Sequence, residues 1–440
     1  MRENQLKHIF YWLIIVVVFL FAIFLLPDFS ILGYPFKKPD LLSDVQSDIV
    51  KPIRSDSMKS RKNTIEKIVV ARVKGLMTIE EFGKDNLRFF FEAIRHAKEN
   101  PVRVAFFGDS FIEGDILCGP FRDTLQQVFG GSGVGYMPIT SEVTKFRTTI
   151  QHDFSGWKTY SMVGQKSIYA PLGLPGYCFK PMDGNEVVYK PSKKKFRTAK
   201  FFYESEYPFT MISTLSDSTN LRLDFSVSRG LNEFVFPHPD ISALKISFPL
   251  HDSLRLYGAA FEDSVGISVD NFGMRSNPGM GLLLVDQVRL SQFNALRDYK
   301  LVILQFGLNV LSERDTTGYL WYLDKMTVLI RKLKESFTDC GFLLISVGDR
   351  SSNQQGKFAT MPDIFVMRAL QRKIAQKSGI AFWDMFEAMG GENSMVRYSE
   401  AQPPLAAKDY THLTFRGGRK IAKKLAEALL KEKAKYERKK

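Results

Sequence analysis

The sequence has 440 residues, which is too long for one ordinary domain, so it predicts two folded units with additional segments. Hydrophobic residues make up 45%, aromatic residues 13% and charged residues 25% of the chain, which excludes wholesale disorder, a collagen-like chain and a polytopic membrane protein. The 61 basic and 47 acidic residues leave a net charge of +14. The basic runs lie in the last ten residues and at 193–200 without a nucleic-acid-binding motif, so we expect no nucleic acid partner.

The first element along the chain is an apolar segment at residues 9–26 that contains no charged residue. As a helix rising about 1.5 Å per residue it would extend roughly 27 Å, close to the hydrocarbon thickness of a bilayer. It ends in bulky residues and Pro27 instead of the small-residue site of a cleavable signal peptide. We therefore expect an N-terminal transmembrane anchor over residues 1–27, a linker over residues 28–78, and a body exported to the periplasmic or extracellular side.

The body begins with a pattern of alternating helices and strands. Residues 80–100 have the apolar spacing of a helix, and residues 416–431 have that of a last helix. Apolar runs typical of buried strands lie at residues 102–107, 301–306, 342–347 and 380–383, with helical patterns between the later ones. Such alternation predicts an α/β fold, with a parallel sheet covered by helices on both faces.

Residues 141–265 break this alternation. They contain short runs rich in Tyr, Phe and Thr, separated by Gly, Pro, Asn and Asp, which is typical of a β-sandwich. Because α/β patterns stand on both sides of this region, we interpret it as a domain inserted into the first one. Its aromatic residues could form a sugar-stacking platform or simply pack its core; they include Trp157, Tyr160, Tyr169 and Tyr177.

The first candidate for chemistry is Ser110, in the tripeptide Gly108-Asp109-Ser110. It follows a predicted buried strand and precedes a helical pattern, which is where ligands bind in open α/β sheets. A hydroxyl there can project from a tight turn at which backbone N–H groups converge. A turn in which Asp109 or Ser110 merely caps the helix fits the same residues.

The candidate general base is His412, which follows Asp409 by three residues in Asp409-Tyr410-Thr411-His412. Within one turn the carboxylate can hold Nδ1–H of the ring, so that Nε2 is left to accept a proton from a serine. Two further elements could stabilise an oxyanion: the side-chain amide of Asn309 after the run 301–306, and the backbone amide of Gly273. An ordinary turn role also fits Asn309 and Gly273, and it is the commoner use of such residues.

Together these elements resemble the SGNH, or GDSL, hydrolase family. The matching blocks are GDSFIEG at residues 108–114, VDNFGMRSNPG at 269–279, FGLN at 306–309 and DYTH at 409–412. The resemblance implies a three-layer α/β/α, flavodoxin-like fold. Its two parts would be residues 79–140 and 266–432, interrupted by the β-sandwich at 141–265 and followed by a basic tail at 433–440.

The resemblance also implies a role for each matching residue. Ser110 would be the nucleophile, and Asp409 and His412 would complete the triad. Gly273 and Asn309 would form an oxyanion hole together with the Ser110 amide. The sequence departs from the family at Val310, where many members have Asp, and at Phe111, where many have Leu, but neither change removes a catalytic group. Nearby glycines compete for the role of Gly273; they are Gly266, Gly279 and Gly281.

The inserted domain gives a narrower resemblance to exported bacterial esterases that remove acetyl groups from peptidoglycan and other polysaccharides. It implies an acetylated polysaccharide substrate. An O-acetyltransferase working with a membrane-bound O-acyltransferase is an alternative, and a catalytically idle glycan-binding protein is a second. The sequence has no phosphate-binding glycine loop or metal-ligand cluster, and its three cysteines form no C-x-x-C pair, so we expect no cofactor and no metal.

Overall fold

The computed structural model describes residues 30–31, 34–35, 78–143, 147–163, 171–192, 197–215, 220–236, 241–250, 253–312 and 318–439. The chain divides into two compact units, Met1–Thr64 and Ile65–Lys440. In the first unit two short strands, β1 (Ser30–Ile31) and β2 (Tyr34–Pro35), pair antiparallel. None of the described helices is sufficiently long and apolar to cross a membrane, and the predicted span at residues 9–26 lies outside the described residues.

The second unit contains all the other described elements. Its strands are β3 (Glu80–Glu81), β4 (Pro101–Gly108), β5 (Gly135–Met137), β6 (Ile150–Ser161), β7 (Tyr177–Pro191), β8 (Thr198–Ser205), β9 (Phe209–Leu215), β10 (Asn220–Phe225), β11 (Ser228–Val235), β12 (Leu244–Ser247), β13 (Arg255–Glu262), β14 (Gly266–Gly273), β15 (Tyr299–Gln305), β16 (Gly341–Ile345), β17 (Ser351–Gln354), β18 (Lys357–Thr360) and β19 (Ala381–Trp383). Its helices are α1 (Arg88–Arg95), α2 (Ser110–Glu113), α3 (Cys118–Phe129), α4 (Gln287–Arg297), α5 (Leu320–Ser336), α6 (Asp363–Ser378), α7 (Met385–Met389), α8 (Ser394–Glu400) and α9 (Phe415–Arg438).

Six strands form a mostly parallel sheet in the order β14-β4-β15-β16-β19-β3, in which β3 is the antiparallel edge strand. The predicted apolar runs supply β4, β15, β16 and β19, whose residues are almost all buried, as expected for strands covered on both faces. The register places Gly273 and Gln305 beside Gly108, at the carboxyl end of β4. The mixed α/β fold with a parallel sheet is therefore confirmed.

The helices lie on the two faces of this sheet. The chain moves one way across the sheet from β14 through β15 and β16 to β19, and the opposite way from β4 to β14. Because crossovers between parallel strands are right-handed, α4, α5 and α6 share one face and α3 lies on the other. The packing agrees, since α5 contacts α4 and α6, whereas α9 contacts α3 and α1.

Two predicted helix boundaries need correction. The predicted helix at residues 80–100 starts only at Arg88, because Glu80–Glu81 pairs with β19 as an edge strand and Asp85 has a positive φ of 49°. The α6 residue Arg372 holds this edge through bonds of 2.9 and 3.0 Å from Nε to the Glu80 carboxylate. At the other end, α9 continues to Arg438, so most of the predicted basic tail at 433–440 is helical.

The strands between β4 and β14 form a separate antiparallel sheet of nine strands, β5 to β13. It has a hydrophobic core of its own, to which β6, β7, β8, β9, β12 and β13 contribute. The short strand β5 pairs with β13 in this sheet, although it precedes residue 141. Trp157 packs edge-on against Phe248 and its ring N–H donates to the Glu186 carbonyl, so this aromatic residue contributes to packing.

A buried ionic network joins this antiparallel sheet to the parallel one. Glu262, the last residue of β13, contacts Arg103 of β4 and Arg297 of α4, each at 2.8 Å. Arg297 also contacts Asp270 of β14 at 2.8 Å, and Tyr299 donates to the same carboxylate. Burial raises the pKa of Glu262, but the two guanidinium groups outweigh it and hold that pKa well below its usual value.

Candidate active site

The predicted nucleophile, Ser110, is the first residue of α2 and lies just beyond the end of β4. Asp109 separates the two elements and caps the helix, because its carboxylate accepts a hydrogen bond from the Phe111 amide at 3.1 Å. The cap therefore does not need the Ser110 hydroxyl. This half-buried side chain is left for another partner.

Asp409 and His412 lie in the loop between α8 and α9. The Asp409 Oδ1 atom accepts hydrogen bonds from the backbone amides of Thr411 and His412, each at 3.0 Å. Tyr410 has a positive φ of 53°, and its carbonyl accepts a hydrogen bond from the Ser351 amide at 3.0 Å. The loop is thus fixed both by its own carboxylate and by the neighbouring strand β17.

The structure brings Ser110, His412 and Asp409 into one chain of hydrogen bonds. Ser110 Oγ lies 3.3 Å from Nε2 of His412, and Nδ1 of His412 lies 2.7 Å from Oδ2 of Asp409. Because an ionised carboxylate can only accept, the proton of a neutral imidazole resides on Nδ1, and Nε2 is left to accept from Ser110. The side chains of His412 and Asp409 are 47% and 49% exposed, so a bulky substrate can reach them.

The electrostatics of Asp409 fit a carboxylate that stays ionised. Burial raises its pKa, but the hydrogen bonds from the His412 amide and ring and from the Thr411 amide have the larger combined effect. The pKa of Asp409 therefore lies below its ordinary value. An ionised Asp409 can hold the ring in one tautomer and stabilise the imidazolium that forms when Nε2 takes a proton.

One predicted oxyanion donor ends a strand that flanks β4, and the other, Asn309, lies in the turn after the second flanking strand, β15. Gly273 ends β14, and a Cβ there would lie 2.1 Å from the Glu113 amide nitrogen, so only glycine fits against α2. Its amide donates to the Asn271 side chain at 2.9 Å, and the Asn309 amide donates to the Asn277 carbonyl at 3.4 Å. Both donors are thus near the carboxyl end of the sheet and satisfied by protein acceptors in this structure.

The competing glycines occupy other places. Gly266 begins β14, at the opposite end of the strand from Gly273, and packs against Gly130 and Gly131. Gly279 and Gly281 follow in the next turn, where Cβ atoms would meet Phe306 and Met162. Gly273 is thus the glycine of this block that stands beside Gly108 at the end of the sheet.

Sequence reasoning missed the unusual state of Asp109. This side chain is fully buried and its Oδ2 atom has no hydrogen-bond partner. Burial raises the pKa of Asp109 to about 7, although the Phe111 amide, Gln305 and the charge of His412 act against it. A signal was available, because a carboxylate directly after an apolar strand and before a helix is placed at the edge of the core.

One cleft lies beside the α2 residue Glu113, and a second lies beside Asp409. The insert-side cleft, of about 330 Å³, lies where Glu113, Arg275 and Ser276 face Glu142 and Tyr177. The hairpin-side cleft, of about 530 Å³, is lined by Arg350, Ser351, Ser352, Ser312, Asp409 and Thr411. The hairpin-side cleft has no signal in the sequence, because its residues come from distant stretches of the chain that meet only on folding.

Comparison with known proteins supports the fold. No family model matches the sequence, and no curated protein matches it. Among solved structures, a peptidoglycan O-acetylesterase has a TM-score of 0.68 at 18% sequence identity, over 81% of this chain and 99% of that chain. An acetyl xylan esterase has a TM-score of 0.28 at 19% identity, over 37% of this chain and 81% of that chain. A GDSL-like lipase from Parabacteroides merdae has a TM-score of 0.28 at 14% identity, over 37% of this chain and 72% of that chain.

The protein therefore shares the fold of the peptidoglycan O-acetylesterase, which fits the α/β fold that the sequence blocks imply. The likeness to the O-acetylesterase extends over almost the whole of that chain, so it includes the antiparallel insert as well as the parallel sheet. At this identity the likeness concerns the fold. The chemistry has to be argued from the site itself.

Proposed function

We propose that the protein is a serine esterase that removes O-acetyl or other short acyl groups from an exported polysaccharide. The observation that carries this proposal is the chain of hydrogen bonds from Ser110 through His412 to Asp409. A peptidoglycan O-acetylesterase of the same fold supports the choice of an O-acetylated glycan as substrate. The exposed site agrees with a polymeric substrate.

The reaction has two steps. His412 Nε2 takes the Ser110 proton while Oγ attacks the ester carbonyl, and the resulting oxyanion is stabilised by the amides of Ser110, Gly273 and Asn309. The tetrahedral intermediate collapses, the C–O bond to the sugar breaks, and His412 returns the proton to the sugar oxygen. Water then attacks the acetyl-Ser110 ester with His412 again as base, which releases acetate and restores the serine.

The donors must change partners for this reaction. The Gly273 amide would leave Asn271 and the Asn309 amide would leave Asn277 as the oxyanion forms. Catalytic hydrogen bonds commonly tighten only in the substrate complex. The charged oxyanion is also a stronger acceptor than the neutral amide oxygens that hold these donors here.

We further propose that residues 9–26 anchor the protein in the membrane with the body on the exported side, where such polysaccharides are found. The length and apolar character of this segment support the anchor.

No observation favours the transferase or the idle glycan-binding alternative. The hydrogen bonds from Ser110 through His412 to Asp409 favour a catalytic role over an idle one. Nothing in the described residues points to a partner acyltransferase.

The test is release of acetate from acetylated glycans and p-nitrophenol from p-nitrophenyl acetate by the full chain in detergent. We expect Ser110→Ala and His412→Ala to lower kcat by at least about 10⁴-fold. The matched control is His96→Ala, because His96 is a surface histidine that also lies close to a carboxylate, Glu99 at 3.6 Å. Unchanged rates in Ser110→Ala would refute the proposal, and acetylated sugar acceptor in place of free acetate would turn it into a transferase.

A further inference from the structure

The hairpin-side cleft adjoins the triad at Asp409. Its wall is formed by residues 350–352, which lead into the β17–β18 hairpin, and by Ser312 of the loop after β15. Asp409 and Thr411 form its edge on the triad side. A substrate whose ester lies at Ser110 therefore has a second recess within its reach.

This recess is rigidly connected to the loop that carries Asp409 and His412. The Ser351 amide donates to the Tyr410 carbonyl at 3.0 Å, and the Phe358 ring of β18 stacks on the Tyr410 ring with centroids 4.0 Å apart. The hairpin is closed on its other side by Asp349, which accepts from Thr360 Oγ1 at 2.8 Å and from the Met395 amide at 2.7 Å. A group held in the cleft is thus kept in a fixed position relative to His412.

Two hydroxyls of the cleft have no partner. Ser351 is 5% exposed, and its Oγ and that of Ser352 are buried without a hydrogen bond. Burying a hydroxyl without a hydrogen bond costs free energy, so such a group in a cleft suggests that a ligand supplies the partner. Rotation about the Cα–Cβ bond redirects a serine hydroxyl, and a ligand in the cleft would supply the missing acceptor.

The charges of the cleft select the kind of acceptor. Arg350 is half-buried and lines the cleft. Two carboxylates close to Arg350 in the cleft or in the chain already accept other hydrogen bonds: Asp409 accepts from His412 and Thr411, and Asp349, the preceding residue, accepts from Thr360 and Met395. A guanidinium and two serine hydroxyls together offer several hydrogen-bond donors, which can bind a carboxylate.

The insert-side cleft shows the contrast. Its Arg275 is bound through Nε to the buried carboxylate of Glu113 at 2.9 Å, and the carboxylate of Glu142 lines the same cleft. A further carboxylate would be repelled there. The hairpin-side cleft has one carboxylate, Asp409, at its edge, and Arg350 is in no ion pair within the described residues, so this cleft is the better suited of the two to an anion.

We propose that the hairpin-side cleft binds a carboxylate that the substrate carries near its ester, through Arg350, Ser351 and Ser352. The inference rests on the proposed esterase function and narrows its substrate class to anionic glycans. The carboxylate can belong to a uronic acid or to a lactyl ether on an amino sugar. Both present the same planar acceptor to the guanidinium.

The experiment compares matched substrates that differ in one charge. Acetate release is measured with 6-O-acetyl-N-acetylmuramic acid against its lactamide, and with an acetylated methyl glucuronoside against its uronamide. We expect wild-type kcat/KM to favour the acid over the amide by about 10- to 100-fold in at least one pair, and the pair identifies the source of the carboxylate. Arg350→Gln should bring that ratio to about 1, and Arg350→Lys should leave an intermediate ratio.

Two control variants separate a specific contact from general effects. Arg275→Gln removes the same charge from the other cleft, so the acid-to-amide ratio should stay at the wild-type value. Ser351→Ala should lower the ratio without lowering Tm, because the Ser351 hydroxyl makes no hydrogen bond in the free protein. If Ser351 had only a structural role, Ser351→Ala would lower Tm and leave the acid-to-amide ratio unchanged.

Binding provides a readout that does not depend on turnover. N-acetylmuramic acid and its lactamide, and methyl glucuronoside and its uronamide, are titrated into Ser110→Ala and into Ser110→Ala with Arg350→Gln by calorimetry. If Ser110→Ala binds the acid more tightly than the amide and the added Arg350→Gln removes this preference, the inference is supported even if the esterase assay fails. Equal ratios and equal affinities for acid and amide overturn it, and esterase activity that depends on Ser110 would then leave the proposed function standing.

Discussion

Two polar clusters of the same unit are built in opposite ways. The buried ionic network of Arg103, Glu262, Arg297 and Asp270 is almost inaccessible, and its charges are paired within 2.8 Å. The Ser110–His412–Asp409 chain is open to solvent, with a longer contact of 3.3 Å at the serine. The first cluster is complete without any ligand, whereas the second leaves capacity that a substrate can use.

The difference shows where the unit is fixed and where it is available for chemistry. The network fastens the antiparallel insert to the parallel sheet. Around the triad, by contrast, Asp109 Oδ2 and the hydroxyls of Ser351 and Ser352 lack partners. Unpaired buried polar groups are rare, and a cluster of them is typical of a functional site.

Breaking the network should have the largest effect on stability. Glu262→Ala leaves two buried guanidinium groups without their shared carboxylate, so we expect a loss of about 3–5 kcal/mol in the free energy of unfolding. Chemical denaturation measures it, and activity is normalised to the sites that a fluorophosphonate labels. Per labelled site, the rate should remain near that of the wild type.

The matched control for this prediction is Glu206→Ala. Glu206 contacts Arg255 at 3.6 Å and is 61% exposed, so its removal should cost no more than about 1 kcal/mol. If both variants lose the same stability, the network does not hold the two sheets together. If Glu262→Ala also slows the labelled sites strongly, the network and the triad are not independent as the comparison requires.

Removing an oxyanion donor should do the reverse: it should lower the activity and leave the stability almost unchanged. Asn309→Ala should lower kcat by about 100- to 1,000-fold with little change in KM or stability, because the donor is needed chiefly when charge develops on the substrate oxygen. Asn100→Ala, on an exposed turn, is the control and should behave as the wild type. A loss confined to KM would show that Asn309 contributes to ground-state binding and leave the oxyanion hole without this member.

The sequence predicts the sheet and the triad candidates better than their surroundings. The strands β4, β15 and β16 are visible as apolar runs because they are buried on both faces. The segment 80–100 misleads because Phe82 and the residues of α1 share a helical spacing, although pairing with β19 makes its start a strand.

The clefts could not be predicted for a different reason. Arg350, Ser351 and Ser352 have no pattern of their own, and their significance comes from lying beside Asp409, more than fifty residues later in the chain. The same holds for Glu262, whose partners are 159 and 35 residues away. Contacts of this kind depend on tertiary packing, which local spacing does not encode.

The smallest expected effect concerns Asp109, whose protonation makes the stability of the protein depend on pH. Its folded-state pKa of about 7 lies above the ordinary value of 3.8, so the folded protein holds this proton at pH values where the unfolded chain has lost it. The stability that the neutral carboxyl contributes is therefore fully present below about pH 4 and is lost as the pH rises to about 7. The paired Glu262 behaves oppositely, because its pKa is lowered.

Asp109→Asn isolates this contribution. Asn can still accept the hydrogen bond from the Phe111 amide but does not titrate, so the variant should match the wild type near pH 4 and exceed it in Tm by a few degrees, roughly 2–4 °C for each kcal/mol, above pH 7. Thermal melts of both proteins from pH 4 to pH 8 measure the difference. A constant offset across this range would mean that Asp109 is already ionised in the folded state, and the neighbourhood of Ser110 would then be as fully satisfied as the buried network.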